Sequence, residues 1–122
     1  MLTGAAAVFV VRDMATSLAY YRDALGFDIA FQYGEPCFYA CLCRDEVALH
    51  LIAANKTKRQ TGQSLLCVFV RDVDAHHQEL AARGANIVKP PADYDYGMRD
   101  YNVIDPDGNE LVFGMASKGS AA

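Results

Sequence analysis

The sequence predicts an α+β fold built from two βαβββ modules, and three observations lead there. The first is an internal repeat. VFVVRDMATSLAYYRDALGFDI (residues 8–29) matches CVFVRDVDAHHQELAARGANIV (residues 67–88), with Val11-Arg12-Asp13 corresponding to Val70-Arg71-Asp72. Self-similarity of this length indicates two copies of one small unit packed together. The second is periodicity, which passes in each copy from a β-branched run to a helical pattern and then to alternating strands. The third is punctuation: Gly26, Gly34-Glu35-Pro36, Asp45-Glu46, Gly84 and Asp105-Pro106-Asp107-Gly108 stand where the pattern breaks.

Taken in order, the first strand precedes Val11-Arg12-Asp13. A helix follows over about residues 14–25, with Leu18, Tyr21 and Leu25 as its buried stripe. Asp13 is its expected N-cap, since a carboxylate accepts from the free N–H groups of the first turn. Gly26 is its expected stop, since it enters the left-handed region without a Cβ clash. Three strands complete the unit in FDIAFQYG, CFYACLCRD and VALHLIA. The second unit has a helix over about residues 74–83, with Leu80 and Ala81 on its apolar face and Gly84 as its stop. Its strands are ANIVK, RDYNVID and ELVFG, and Pro90-Pro91 is expected to open a loop, PPADYDYG. The organisation expected is a single domain over 1–122: module one at about 5–53, a polar, basic linker at about 54–62, module two at about 63–115 and a tail at 116–122.

At 122 residues, 52% apolar and 21% charged, the chain can bury a real core, and its class is globular rather than disordered. A net charge of −4 argues against nucleic acid as a partner. No apolar run is long enough for a bilayer span. The opening residues lack a basic n-region and run into a strand pattern, so a cytoplasmic location is expected. Three of the four cysteines, Cys37, Cys41 and Cys43, fall in one strand pattern, with Cys67 apart. On a strand Cys37 and Cys41 lie about 13 Å apart, too far for one disulfide or metal, so all four are expected as small buried hydrophobes. His76 and His77 are adjacent on a helix, diverge, and are expected at the surface.

The stretches VRDMATSLAYYRDALGF, VRDVDAHHQELAARG and DPDGNELVF resemble the vicinal-oxygen-chelate superfamily, which includes glyoxalase I, extradiol dioxygenases and bleomycin-resistance proteins. The likeness runs from about Ala7 to Met115. It implies paired modules forming curved, incomplete barrels around a cavity, often completed in a homodimer. It also implies that metal-dependent members place ligands on the first and last strands of each module. Counted from the motifs, those places fall here on Ala6, His50, Leu65 and Val112, and neighbouring registers bring only Ala5, Ala7, Ser64 and Leu66. A tight zinc or iron site takes about three N, S or O ligands, and only His50 qualifies. Glu110, two residues before Val112 and of the same strand parity, is the one substitute. YGMRDYNVIDPDGN (residues 96–109) is similar to a stretch of the metal-free bleomycin-resistance branch. It departs by an inserted Met98, and the whole chain lacks Trp, so any aromatic wall must come from Tyr or Phe.

The candidate ligand-binding residues are His50, Glu110, Arg99, Tyr33, Phe38, Tyr96 and Tyr101. His50 suits a pocket donor or a base near neutral pH. Glu110 on an apolar strand must be paired, with His50 or Arg99, or else meet a cationic ligand. Arg99 suits a bidentate anchor for an anion, or a pair with Asp95, Asp100 or Glu35. The tyrosines and Phe38 offer area for a planar ligand. There is no Gly-x-Ser-x-Gly, phosphate-cradling Gly loop or His-Glu-x-x-His helix. The reading is a homodimeric protein that binds a small, partly aromatic or cationic molecule without metal, cofactor or catalytic residues. A metal-dependent lyase, isomerase or dioxygenase of the same superfamily is the second reading, and an interaction module without ligand the third.

Overall fold

A computed structural model describes residues 1–117. Strand β1 (Ala7–Val11) leads to helix α1 (Met14–Asp23), then β2 (Asp28–Tyr33), β3 (Tyr39–Arg44) and β4 (Val47–Ala53). A short 3-10 turn, Ala54–Lys56, opens the link to β5 (Leu65–Phe69). Helix α2 (Val73–Arg83), β6 (Asn86–Asp93), β7 (Met98–Ile104) and β8 (Glu110–Ala116) follow. The eight strands form two four-stranded mixed sheets, ordered β1-β4-β3-β2 and β5-β8-β7-β6. Each is open rather than closed into a barrel, and its one parallel pair is β1 on β4 or β5 on β8.

Both helices start as their sequence dictates. Asp13 accepts from the Thr16 N–H at 3.1 Å, and Asp72 from the Ala75 N–H at 3.0 Å. Gly84 ends α2 at φ +90, a left-handed conformation that strains any residue with a Cβ. Helix α1 is two residues shorter than its apolar stripe suggested, because the chain turns at Ala24 toward Gly26, yet Leu25 is still buried. Helix α2 begins one residue early, and its inward face is Val73 and Leu80, with Ala81 exposed.

A larger difference lies at Pro90-Pro91. These prolines do not end the strand. They sit within β6, at the edge of the second sheet, where one of the two missing N–H groups faces solvent and the other falls in a break of the ladder. Pairing with β7 is irregular there, between Lys89 and Ala92. Of the expected tail, Ala116 ends β8, and 118–122 lie outside the described residues.

One face of each sheet packs inward with the helices. Phe9, Val11, Leu49 and Leu51 from the first sheet join Val68, Val103, Leu111 and Phe113 from the second in a single core with Leu18, Tyr21, Val73 and Leu80. Buried polar groups tie the units together. The Tyr21 hydroxyl donates to Asp105 at 3.0 Å, and the Tyr20 hydroxyl donates to the Ile104 carbonyl at 2.7 Å. The Asp105 carboxylate also accepts from the Asp107 and Asn109 N–H groups, each at 2.9 Å, which fastens the turn into β8. Arg44, at the end of β3, donates to Glu79 of α2 at 2.7 Å and to the Leu25 carbonyl at 2.8 Å.

Candidate functional site

Strand parity leaves the other face of each sheet without a covering layer in this chain. On the first sheet this open face carries Val8, His50 and Cys41, which lie side by side in register across β1, β4 and β3. Phe31 and Tyr33 stand beside them on β2, half or more exposed, with their rings stacked 6.4 Å apart. On the second sheet the open face carries Leu65 and Phe69, at 59% and 79% exposure, together with half-buried Glu110, Val112 and Asn102, and Asp100 of the same parity is buried. Surface this apolar is unusual for a face that meets only water.

Parity also divides the residues that sequence reasoning grouped. His50 is half-buried on the first open face, and its Nδ1 shares a hydrogen bond with the Tyr39 hydroxyl at 2.8 Å. Glu110 is half-buried on the second open face. Its partner is neither His50 nor Arg99 but the Asn102 amide, one strand across. Arg99 points the opposite way, toward α2. It grips Asp74 through two nitrogens, at 2.7 and 3.2 Å, and lies 3.5 Å from Asp93, so Asp95, Asp100 and Glu35 are not its partners. Tyr101 shares that inward face and is wholly buried, its hydroxyl 2.6 Å from Nδ1 of His76.

Phe38 also faces inward. It lines a hollow between α1 and the β2–β3 connection, under the Lys56 ammonium at 4.8 Å. Tyr33 lies on the open face, edge-on to Phe38 at 5.2 Å. Tyr96 is exposed, stacks on Tyr94 at 5.2 Å with the rings 4° from parallel, and donates to Asp100 at 2.7 Å. That hydrogen bond, ahead of burial, pushes its pKa up to about 12.

Sequence reasoning missed Asp100, Asn102 and Lys89. They form one polar patch with Glu110. Asn102 lies in register with both Val112 and Lys89. The Lys89 ammonium sits 4.7 Å over the Tyr94 ring, and its pKa is raised by Tyr94 first, with Asp100 and Glu110 adding. The signal was present: Asp100 and Asn102 alternate with Arg99 and Tyr101, but only the hairpin register says which pair shares a side with Glu110.

Two further expectations are corrected. His76 and His77 are half-buried rather than at the surface, since His76 packs on Phe113 at 4.5 Å and His77 on Tyr101 at 5.1 Å. Burial, and Arg44 after it, lowers the His76 pKa. The cysteines are free thiols but are not fully buried. Cys37, Cys41 and Cys43 are half-buried and Cys67 is exposed. Cys41 and Cys67 lie on the open faces, where no further layer covers them.

A family model described as the Glyoxalase/Bleomycin resistance protein/Dioxygenase superfamily matches residues 5–113. The chain belongs to this superfamily. An uncharacterized protein of Mycolicibacterium smegmatis is 33% identical over 106 residues, which is 87% of either chain. Among solved structures, TioX from Micromonospora sp. ML1 superposes with a TM-score of 0.80 at 20% identity, over 94% of this chain and 99% of its own. The bleomycin-binding protein of the bleomycin producer Streptomyces verticillus, solved with copper(II)-bleomycin, gives 0.77 at 25% identity, over 97% and 98%.

The metal that some members of the superfamily use finds a poor donor set here. Ala6, Leu65 and Val112 carry no ligand atom, and His50 is engaged by Tyr39. Among the described residues, no three His, Cys, Asp or Glu side chains cluster so as to hold an ion.

Proposed function

We propose that this protein binds a planar, cationic small molecule on the open sheet faces and does so without a metal or a covalent step. The observation that carries the reading is the make-up of those faces. They pair large exposed aromatic rings with a patch holding the half-buried Glu110 carboxylate above the buried one of Asp100, and among the described residues no three His, Cys, Asp or Glu side chains cluster there. Lys89 already displays the chemistry on a small scale, with an ammonium held over an aromatic ring near both carboxylates. A ligand that places a cation at Glu110 and a flat ring on Phe31–Tyr33 or Tyr94–Tyr96 uses the same forces. A second copy of the chain is the proposed cover. It excludes water from Leu65 and Phe69 and strengthens the ligand's charge contacts. Arg99, Tyr101 and Phe38 belong in this reading to the scaffold beneath the site, and His50 with Tyr39 supplies a polar point on the first face.

Bleomycin binding by the Streptomyces verticillus protein supports ligand capture as the role of this fold, although the absence of Trp here changes the wall against which a ring would stack. The test is a titration with a planar cationic dye such as ethidium, together with a bleomycin, monitored by fluorescence and by melting temperature. Binding that weakens about tenfold in Glu110→Gln, the loss of one charge-assisted contact, is expected. A broad cationic aromatic panel that leaves the melting temperature unmoved refutes sequestration. Stoichiometric zinc, nickel, manganese or iron after chelator-free purification refutes the metal-free part.

A further inference from the structure

The two modules meet at two junctions that the internal repeat makes equivalent, yet the junctions are not built alike. At the first, five residues (105–109) connect β7 to β8 and close onto the start of α1. The Asp107 carboxylate accepts from the Arg12 N–H at 3.2 Å to each oxygen, and from its guanidinium at 3.3 Å. At the second junction Arg71 precedes the N-cap Asp72 just as Arg12 precedes Asp13. The connection facing it, between β3 and β4, is only two residues, Asp45 and Glu46. No carboxylate reaches across. Among the described residues, Arg71 has no hydrogen-bond or ion-pair partner. In place of the missing contact is a cavity of about 810 Å³, within the range of small-molecule pockets, roughly 300–1,000 Å³.

The cavity has two kinds of wall. Leu25, Phe27, Val68 and Phe113 supply apolar surface, and Arg71 and His76 supply donors. The His76 proton can be placed. Tyr101 is wholly buried, and burial holds its hydroxyl in the protonated form. Among the described residues its hydrogen-bond partner is Nδ1 of His76, and a buried hydroxyl with that partner donates to it. Burial lowers the His76 pKa, which favours the neutral ring, and in a neutral ring that accepts at Nδ1 the proton sits on Nε2. The acidic lining is largely committed: Glu79 is held by Arg44 at 2.7 Å and by Arg83 at 2.9 Å, and Asp72 caps α2. Asp45 and Glu46 remain exposed at the rim, where water screens them; their charge opposes any anion, and a doubly charged phosphate about twice as strongly as a carboxylate.

We propose that this junction is a second binding site, for a small amphipathic carboxylate. Its acid group takes at Arg71 the place that Asp107 holds at Arg12, and its apolar body lies against Phe27, Val68 and Phe113. The site shares neither Glu110 nor His50 with the open faces and stands whether or not a cationic ligand binds there.

The experiment titrates the full chain with octanoate and, in parallel, with octanol, following backbone amide shifts by NMR. Octanoate is expected to bind with a dissociation constant below about 1 mM and to shift Arg71, Asp72 and His76, with octanol much weaker. Arg71→Gln, at an exposed side chain, is expected to keep the fold and weaken octanoate about tenfold. Ala75→Leu, which fills the cavity from α2, is expected to abolish binding. Equal affinity for octanol, no effect of Arg71→Gln, shifts confined to the open faces, or no binding at millimolar octanoate would each overturn the site. Phe69 borders both regions, but dye binding is read through Glu110 and octanoate binding through Arg71, and neither residue belongs to the other site, so the two proposals fail independently.

Discussion

Asn109→Ala should cost this protein about a third of a typical domain's stability, and the structure shows why. Asn109 is fully buried where three segments meet. Its Oδ1 accepts from the Ser64 N–H at 3.1 Å, ahead of β5. Its Nδ2 donates to the Val10 carbonyl at 3.0 Å, on β1, and to Asp105 at 2.9 Å. Truncation does not strand all three partners equally. Asp105 keeps the Tyr21 hydroxyl and two backbone donors, and the Val10 carbonyl keeps a long contact with the Gly62 N–H at 3.4 Å. The Ser64 N–H, half-buried, loses its acceptor outright. One orphaned donor and two ordinary hydrogen bonds sum to about 3–4 kcal/mol. Native domains have about 5–15 kcal/mol in all. For a chain of this length the melting temperature should fall by about 10–15 °C. Urea unfolding followed by circular dichroism, at matched protein concentration, measures it. Asn109→Asp, which keeps the shape but turns an acceptor toward Val10 and Asp105, should be at least as damaging. A loss below about 1 kcal/mol in the Ala variant would show that this cluster does not join the modules.

Other perturbations separate scaffold from site. Gly62→Ala should destabilise by more than about 2 kcal/mol, because Gly62 has φ +73 and an added Cβ would lie 2.1 Å from the Asp107 carbonyl oxygen; unfolding midpoints check it, and an unchanged midpoint counts against the turn geometry. Arg99→Gln should lower stability modestly through Asp74 and leave cationic dye affinity unchanged, whereas Glu110→Gln should do the reverse; a dye affinity that follows Arg99 would place the site on the wrong side of the sheet. His76 gives a pH signature. Burial lowers its folded pKa, so the unfolded chain takes up the proton first, near pH 6.5. Its stabilisation is present above that pH and is lost as pH falls below it, toward the lowered folded value. Urea midpoints measured between about pH 7.5 and 5.5 should therefore fall more steeply in the parent than in His76→Gln, and parallel slopes would contradict the assignment.

The repeat made the fold legible. Asp13 announces a helix start, Gly84 announces a stop, and the Asp105–Gly108 turn places β8, all through local backbone chemistry that a sequence displays directly; Gly26 stands two residues beyond the actual cap at Ala24, and Asp72 shows its capping role only in the structure. The site was harder to read because it depends on pairing between strands. Glu110 was visible as a carboxylate on a strand, but its partner Asn102 lies across a five-residue connection whose length sets the register. Arg99 and Asp100 are adjacent in sequence and face opposite layers, so charge alone could not sort them. Pro90-Pro91 misled for a related reason. A proline ends a central strand but is tolerated at an edge, and position within a sheet is a property of the whole fold.

Those two prolines also restrict how copies of the chain can meet. Successive N–H groups of a strand point to opposite edges, so one proline of the pair removes a donor from the outer rim of the second sheet, and its ladder is already irregular there. Strand-by-strand addition at that rim, the route to open-ended aggregates, has no continuous template to copy. The contact proposed above is of another kind: it runs through the sheet surface where Leu65 and Phe69 stand exposed, not through a strand edge, and a face-to-face contact can be satisfied by one partner and then stop.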